Sequence, residues 1–390
     1  MKGYTARKGN RRYAVIYHGL DPVTGREQRS WHAAGASQDD AETLARKLVN
    51  EIQGREDEGR SLTFGAYLTE RWLPSKQIAL RPTTFAGYRR NVELHILPVL
   101  GKVKIRRLTC DHIERLYEAK LRPTDGSRPL AAKTVLELHT IIRGALGDAQ
   151  RKRIVNRNAA AVAAAPKLRN IPPVEPRAWT EDQLKTFLGV AAGHRLYPAF
   201  WLSAATGMRR SELLGLKWSD MDWKRGTVSI SRGLVCVGYE LSESRCKTRT
   251  SRRLIELDQT TLELHRTWHG WRRASDMTTF GVDSVWMFPG DDRGPTHPHA
   301  FSQAFDRLVI RSGNPTARLH DLRHTHATLL IKQGIPVKVV SERLGHARAS
   351  FTMDTYQAVM PGMQADAATT YEQIMKPGPN PQHASTGAGR

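Results

Sequence analysis

The chain has 390 residues, with 60 Lys+Arg against 38 Asp+Glu, a formal net charge of +22 and a sequence pI near 10.3. This length predicts two or three domains with their own cores, and no run approaches the roughly 18 apolar residues of a membrane span. The charged start MKGYTARKGNRRYAV lacks the apolar core of a secretory signal, and three cysteines (Cys110, Cys236, Cys246) at no metal-ligand spacing argue against a disulfide framework or zinc ribbon and for a reducing cytoplasm.

The first predicted elements are short, β-rich strands at 11–17 (RRYAVIY) and 27–32 (EQRSWH), joined by the turn signal DPVTG. A helix at 38–54 ends at Gly54. Residues 1–35 are net +5 and 36–60 net −3, so the strands carry the basic groups. Arg11 and Arg12 are candidate DNA contacts, and the unit is too small to hold much core, which marks it as an appended module.

Residues 61–157 read as four helices with apolar residues at 3–4 spacing: FGAYLTERWL, TTFAGYRRNVELHIL, TCDHIERLYEAKL and AAKTVLELHTIIRGALGDAQRKR. Thr109 suits the N-cap of the third. In the fourth, Leu138, Ile142, Ala145 and Ala149 form one stripe, and Arg143, Arg151, Lys152 and Arg153 extend from the other faces. Residues 61–178 hold +13 of the net charge, so a basic helical unit is expected to neutralise phosphate with counterion release. Residues 158–178, with four prolines and an alanine run, read as a linker.

From Trp179 the pattern turns to mixed α/β. Thr180 opens a helix in a capping box. Strands are expected at 227–231, 233–240 and 253–257. Helices follow at about 259–275, 298–312, 321–334 and 336–345, with Pro336 in the first turn of the last. Residues 376–390 have the composition of a disordered tail.

Three clusters carry chemistry: ATGMRRSELLGLKWSDMDW (205–223), CKTRTSRRLIEL (246–257) and LHDLRHTHATLLIKQGIPVKVVSERLGHARASFTMDTY (319–356). Each alone has a bland reading: a solvated arginine pair, a surface lysine, and histidines that pack or cap, with His324 and His326 the first candidates for that role. His320 and His324, four apart, raise a metal site, which is set aside because no Glu, Asp or Cys stands at a spacing known to complete it. Together, arginines, a lysine, histidines and a tyrosine suit metal-free attack on a phosphodiester. Guanidiniums grip the non-bridging oxygens, an assisted phenol attacks, and an ammonium protonates the leaving oxygen.

These boxes, in this order, resemble those of the tyrosine recombinases, specifically phage-type integrases, over about residues 1–375. T-G-M-R-R-S-E resembles the family's first box, implying Arg209 as the first catalytic arginine, Arg210 as the alternative, and Glu212 as the acidic neighbour. C-K-T-R resembles the β-hairpin lysine box, implying Lys247. H-D-L-R-H-T-H-A implies His320 and Arg323. L-G-H with D-T-Y ten residues on implies His346 and the nucleophile Tyr356. The implied fold is multidomain α+β: an arm-type DNA-binding module of sheet plus helix (1–56), an all-α core-DNA-binding domain (61–157), and a mainly helical catalytic domain with a small antiparallel sheet (179–375), as in tyrosine recombinases and type IB topoisomerases.

The implied reaction is site-specific recombination through a 3′-phosphotyrosine and a Holliday junction, without metal, cofactor or ATP. The implied partners are double-stranded DNA at core and arm attachment sites, three further copies of the chain in a tetramer on DNA, and DNA-bending and excision-directionality proteins. The implied setting is the cytoplasm and nucleoid of a bacterial host. A type IB topoisomerase-like relaxing enzyme and a DNA-binding regulator with a dispensable site are the competing readings.

Overall fold

The computed structural model describes residues 2–20, 25–35, 37–167, 177–245, 252–346, 350, 353 and 363–376. The turn signal at 21–24, Lys247, Tyr356 and the tail from 377 lie outside the described residues. The chain divides into two compact units, Met1–Pro173 and Val174–Arg390. No described helix is long and apolar enough to cross a membrane.

The first unit opens with an antiparallel sheet of β1 (Lys2–Lys8), β2 (Arg11–Leu20) and β3 (Glu27–Ala33), in which Tyr4 faces Val15 and Val15 faces Trp31. β1 was not foreseen: KGYTARK has no apolar alternation and is a strand because β2 supplies its ladder. Helix α1 (Gln38–Ser61) packs on the face carrying Gly3, Ala14 and Ile16. A side chain at Gly3 would strike Val49 Cγ2 at 2.8 Å, so glycine permits that approach. The expected stop at Gly54 does not occur. A lone glycine costs a helix only about 1 kcal/mol, and helix-forming residues flank it. The opposite sheet face carries Lys8, Arg11, Tyr13 and Trp31, with Trp31 half exposed and edge-on to Tyr13. Arg12 lies on the α1 side and donates to Gln38 at 2.8 Å.

Four longer helical runs follow. α2 passes without a break through Phe64–Ala66, a π-helical segment Tyr67–Trp72, and Leu73–Ala79. α3 does the same through Pro82–Asn91, π-helical Val92–Ile96, and Leu97–Leu100. Both widenings directly precede Leu-Pro, at Pro74 and Pro98. Proline lacks an N–H and its ring crowds the carbonyl four residues back, which an i→i+5 turn relieves. α4 (Cys110–Leu121) starts at a Thr109–His112 capping box, and α5 (Ala132–Arg151) buries the expected stripe Leu138, Ile142, Ala145 and Ala149. Buried polar ties brace the core: Trp72 Nε1 donates to Asp148 at 2.9 Å, and Tyr117 bonds His139 Nδ1 at 2.8 Å. Asp148 also pairs with Lys76 and Arg151. The alanine run is not linker. Ala159 and Ala160 are buried in this core, and Ala164 N–H donates to Glu114 at 2.7 Å, because small apolar residues close against α4 and α5 before the first proline, Pro166.

The second unit packs α6 (Glu181–Ala191), α7 (Tyr197–Thr206) and α8 (Arg210–Leu214) around Phe187, Phe200, Phe301 and Phe305. Thr180 and Gln183 form the expected capping box. A three-stranded antiparallel sheet holds β4 (Met221–Asp222), β5 (Thr227–Ile230) and β8 (Arg253–Glu256). A separate hairpin holds β6 (Arg232–Val237) and β7 (Glu240–Arg245). The strand expected at 233–240 ends at Val237, and an unforeseen strand, β7, returns from Glu240. Gly238, at φ +64°, turns the chain in two residues, and the polar sequence ELSESR had hidden β7. α9 (Gln259–Phe280), α10 (Pro298–Ser312), α11 (Asp321–Lys332), α12 (Val337–Leu344) and α13 (Met363–Met375) complete the unit. Pro336 sits at the N-cap of α12, one position before the first turn.

Candidate active site

The site is built where helix ends meet. α7 is apolar nearly all round, which buries it centrally, and it stops at Gly207 with φ +62°. A side chain at Gly207 would lie 2.7 Å from both His326 and Leu344, so glycine is required by conformation and by space. The next turn places Arg209 at the N-cap of α8. Its backbone N–H donates to Glu212 Oε2 at 3.0 Å and its Nη1 to Glu212 Oε1 at 2.8 Å. Arg210 points away, donating to Ser302 Oγ at 2.6 Å and the Pro298 carbonyl at 3.3 Å.

Arg323, on α11, is 3 % exposed. Its Nη1 donates to the Gly207 carbonyl and its Nη2 to the Leu344 carbonyl, each at 2.8 Å. Arg209 Nη2 donates to the next carbonyl, Gly345, at 3.3 Å. Two guanidiniums thus converge on consecutive carbonyls at the C-terminus of α12, where the helix end is partially negative. Gly345, at φ +70°, ends that helix and delivers His346, whose N–H bonds the Ser341 carbonyl at 3.0 Å.

His320 precedes α11 and meets His324 edge-on, ring centroids 5.1 Å apart. Desolvation by the packed protein, then the charges of His324 and Arg323, push the His320 imidazole down to about 4. Burial, then Arg323, Arg209 and Arg253, push His346 down to about 3. Both rings are therefore neutral near pH 7 and able to accept a hydrogen bond. Burial opposes ionisation of Glu212, but the hydrogen bond and charge of Arg253, with Arg209, outweigh it and hold the carboxyl below its ordinary range.

The structure brings Arg209, Glu212, His320, Arg323 and His346 into one cluster, and His324 stands beside them. His326 is a packing residue: Arg343 Nε donates to its Nε2 at 3.3 Å, leaving Nδ1–H for the Ala204 carbonyl at 2.9 Å. Among the described residues, no group of three or more His, Cys, Asp or Glu could hold a metal. Arg253 and Arg343 were missed. The signal for Arg253 was parity, since in RLIEL it shares the inward face with buried Ile255. Of the candidate DNA contacts elsewhere, Arg11, Arg143, Arg151 and Lys152 are exposed, Arg153 half-buried at φ +60°, and Arg12 tied to α1.

The buried histidines set an acid limit. Burial, then the charge of Arg343, holds His326 down at about 3, against about 6.5 in an unfolded chain. Between those values the unfolded chain binds more protons. The contribution to stability is complete above pH 6.5 and is lost as pH falls toward 3. At pH 5 the loss from this one group is about 2 kcal/mol. His326→Asn, which keeps a donor for Ala204, is expected to flatten the fall in urea midpoint between pH 6.5 and 5. Equal slopes in variant and parent would contradict a neutral buried His326.

Residues 177–362 match the model of the phage integrase family, and residues 63–121 match that of the phage integrase N-terminal SAM-like domain. The chain is similar to the ICEBs1 integrase of Bacillus subtilis, 26 % identical over 377 residues (94 % of this chain, 98 % of the relative). It is also similar to a tyrosine recombinase XerC-like protein of Caldanaerobacter subterraneus subsp. tengcongensis, 24 % identical over 362 residues (87 % and 90 %). In fold it is similar to the Tn1549 transposon integrase solved with a circular intermediate DNA (TM-score 0.63, 20 % identity, 78 % of this chain and 98 % of that one). The lambda integrase tetramer bound to a Holliday junction is a further likeness (TM-score 0.57, 20 % identity, 89 % and 96 %).

Proposed function

The chain belongs to the phage integrase family of tyrosine recombinases, and from that premise we propose that it is the site-specific recombinase of a phage or integrative mobile element, with Tyr356 as its nucleophile. The observation that carries the reading is the convergence of Arg209 and Arg323 on the Leu344 and Gly345 carbonyls beside two neutral imidazoles. Held so, both guanidiniums can face the non-bridging oxygens of one phosphate and stabilise the charge that grows there.

In the proposed step the Tyr356 oxygen forms a bond to phosphorus and the bond from phosphorus to the 5′-oxygen breaks. His320 or His346, made more basic by the negative charge of the bound phosphate, receives the phenol proton, and Lys247 protonates the departing oxygen. The phosphotyrosine conserves the bond energy. A 5′-hydroxyl from a second duplex reverses the step, and two rounds exchange strands through a Holliday junction.

We assign residues 1–56 to arm-site binding, through the face bearing Arg11, Tyr13 and Trp31. Residues 61–157 are assigned to core-site binding, through Arg143, Arg151, Lys152 and Arg153, and 179–375 to catalysis. The working form is a tetramer on DNA in a bacterial cytoplasm, assisted by DNA-bending and directionality proteins.

The test uses two plasmids, each carrying the short direct repeat that flanks the element encoding this chain. Recombination is expected between them in excess EDTA and without ATP, since Arg209, Arg323 and Lys247 supply the charge that metals supply in nucleases. Relaxation of a supercoiled plasmid lacking the repeat, with no recombinant, would favour a type IB topoisomerase. Loss of cleavage in EDTA, restored by Mg²⁺ with binding unchanged, would revive a metal site at the histidines.

A further inference from the structure

One guanidinium outside the recognised boxes ties the cluster together. Arg253, the first residue of β8, has a side chain 7 % exposed. Its Nη2 donates to Glu212 Oε2 at 2.9 Å and its Nε to the Arg343 carbonyl at 2.7 Å. Its flat face covers Gly345, where a side chain would lie 2.7 Å from Nη1 and 3.0 Å from Cζ. The tie is reciprocal: Arg343 Nη1 donates to the Glu256 carbonyl at the other end of β8, at 3.0 Å. The two acceptors matter because of what they hold. Glu212 also grips Arg209, and the Arg343–Gly345 turn delivers His346 and offers its carbonyls to Arg209 and Arg323.

We propose that Arg253 is a positioning residue for strand cleavage, fixing Arg209 and His346 relative to each other by clamping Glu212 to the turn before His346. This rests on the function proposed above. Arg253 does not reach DNA, being buried with its donors engaged. Its removal would leave the Glu212 carboxylate to Arg209 alone, and a first arginine drawn fully onto Glu212 is drawn away from phosphate. Lysine cannot substitute, because one ammonium cannot span a carboxylate and a carbonyl while lying flat on glycine.

The test compares full-length parent, Arg253→Lys and Arg253→Gln on a nicked duplex carrying the flanking repeat. Four quantities are measured: affinity, single-turnover rate of covalent adduct, pH–rate profile and melting temperature. Both variants are expected to bind within about threefold of the parent and to form adduct about 100-fold more slowly. In Arg253→Gln the acid limb moves toward neutral pH, because one of the cations facing His346 is gone while Arg209, Arg323 and His324 remain. In Arg253→Lys the limb stays and the rate does not recover. Should Arg253→Gln fail to fold, Arg253→Lys carries the comparison. A parent-like rate in Arg253→Lys, or a loss of rate matched by equal losses of affinity and melting temperature, overturns the proposal. A parent that forms no adduct overturns the function itself, and is distinguished by that.

Discussion

Tyr356→Phe abolishes covalent attachment to DNA, by at least about 10⁴-fold, while core-site affinity stays within about twofold. The change removes a single oxygen and keeps the ring, so packing is preserved and only the nucleophile is lost. A factor of 10⁴ is about 5.5 kcal/mol of barrier, the scale expected when a covalent route closes. The assignment comes from sequence, since Tyr356 lies outside the described residues. It follows the L-G-H that brings His346 into the cluster, and ten residues can reach up to about 35 Å, more than enough to return to the site. The rival is Tyr371 on α13, 64 % exposed. An adduct persisting in Tyr356→Phe and lost in Tyr371→Phe would transfer the role.

Lys247→Ala is expected to slow cleavage of ordinary DNA by about 10²–10⁴-fold, the usual worth of a positioned general acid. On a substrate whose 5′-bridging oxygen is sulfur the loss should shrink to within about tenfold. A thiol ionises near pH 8.5, so a thiolate departs without a proton, whereas an alkoxide does not. Equal losses on both substrates would place Lys247 on the phosphate and not on the leaving group.

What could be read from sequence was what local rules write down. Thr109 and Thr180 announce helix starts because a cap needs only its own turn. Leu138, Ile142, Ala145 and Ala149 announce a buried stripe by period alone. What escaped was set by partners distant in the chain. β1 and β7 are strands because a neighbour offers a ladder, not because KGYTARK or ELSESR alternates. The alanine run packs because α4 and α5 leave it room. In the site, the boxes named the chemistry and put Arg209 ahead of Arg210, and the phase of α8 turns the first toward Gly345 and the second toward Ser302. Arg253 looked like one more surface charge in a basic run until its carboxylate, forty-one positions earlier, was seen beside it.

The measurement that bears most directly on the central claim is the identity of the adduct formed by the unaltered protein on a nicked duplex in EDTA. Trypsin alone leaves Tyr356 and Tyr371 together in the peptide that begins at Ala349, because Lys376 is followed by proline and is not cut, so the DNA-linked protein is cut at methionine with cyanogen bromide. This separates residues 354–360 from 364–375. The expected product is DTYQAV ending in the homoserine lactone formed from Met360, joined through Tyr356 to a 3′-phosphate, with a free 5′-hydroxyl on the other strand end. A 5′-linked peptide, a peptide bearing Tyr371, or no adduct until metal is added would contradict the account.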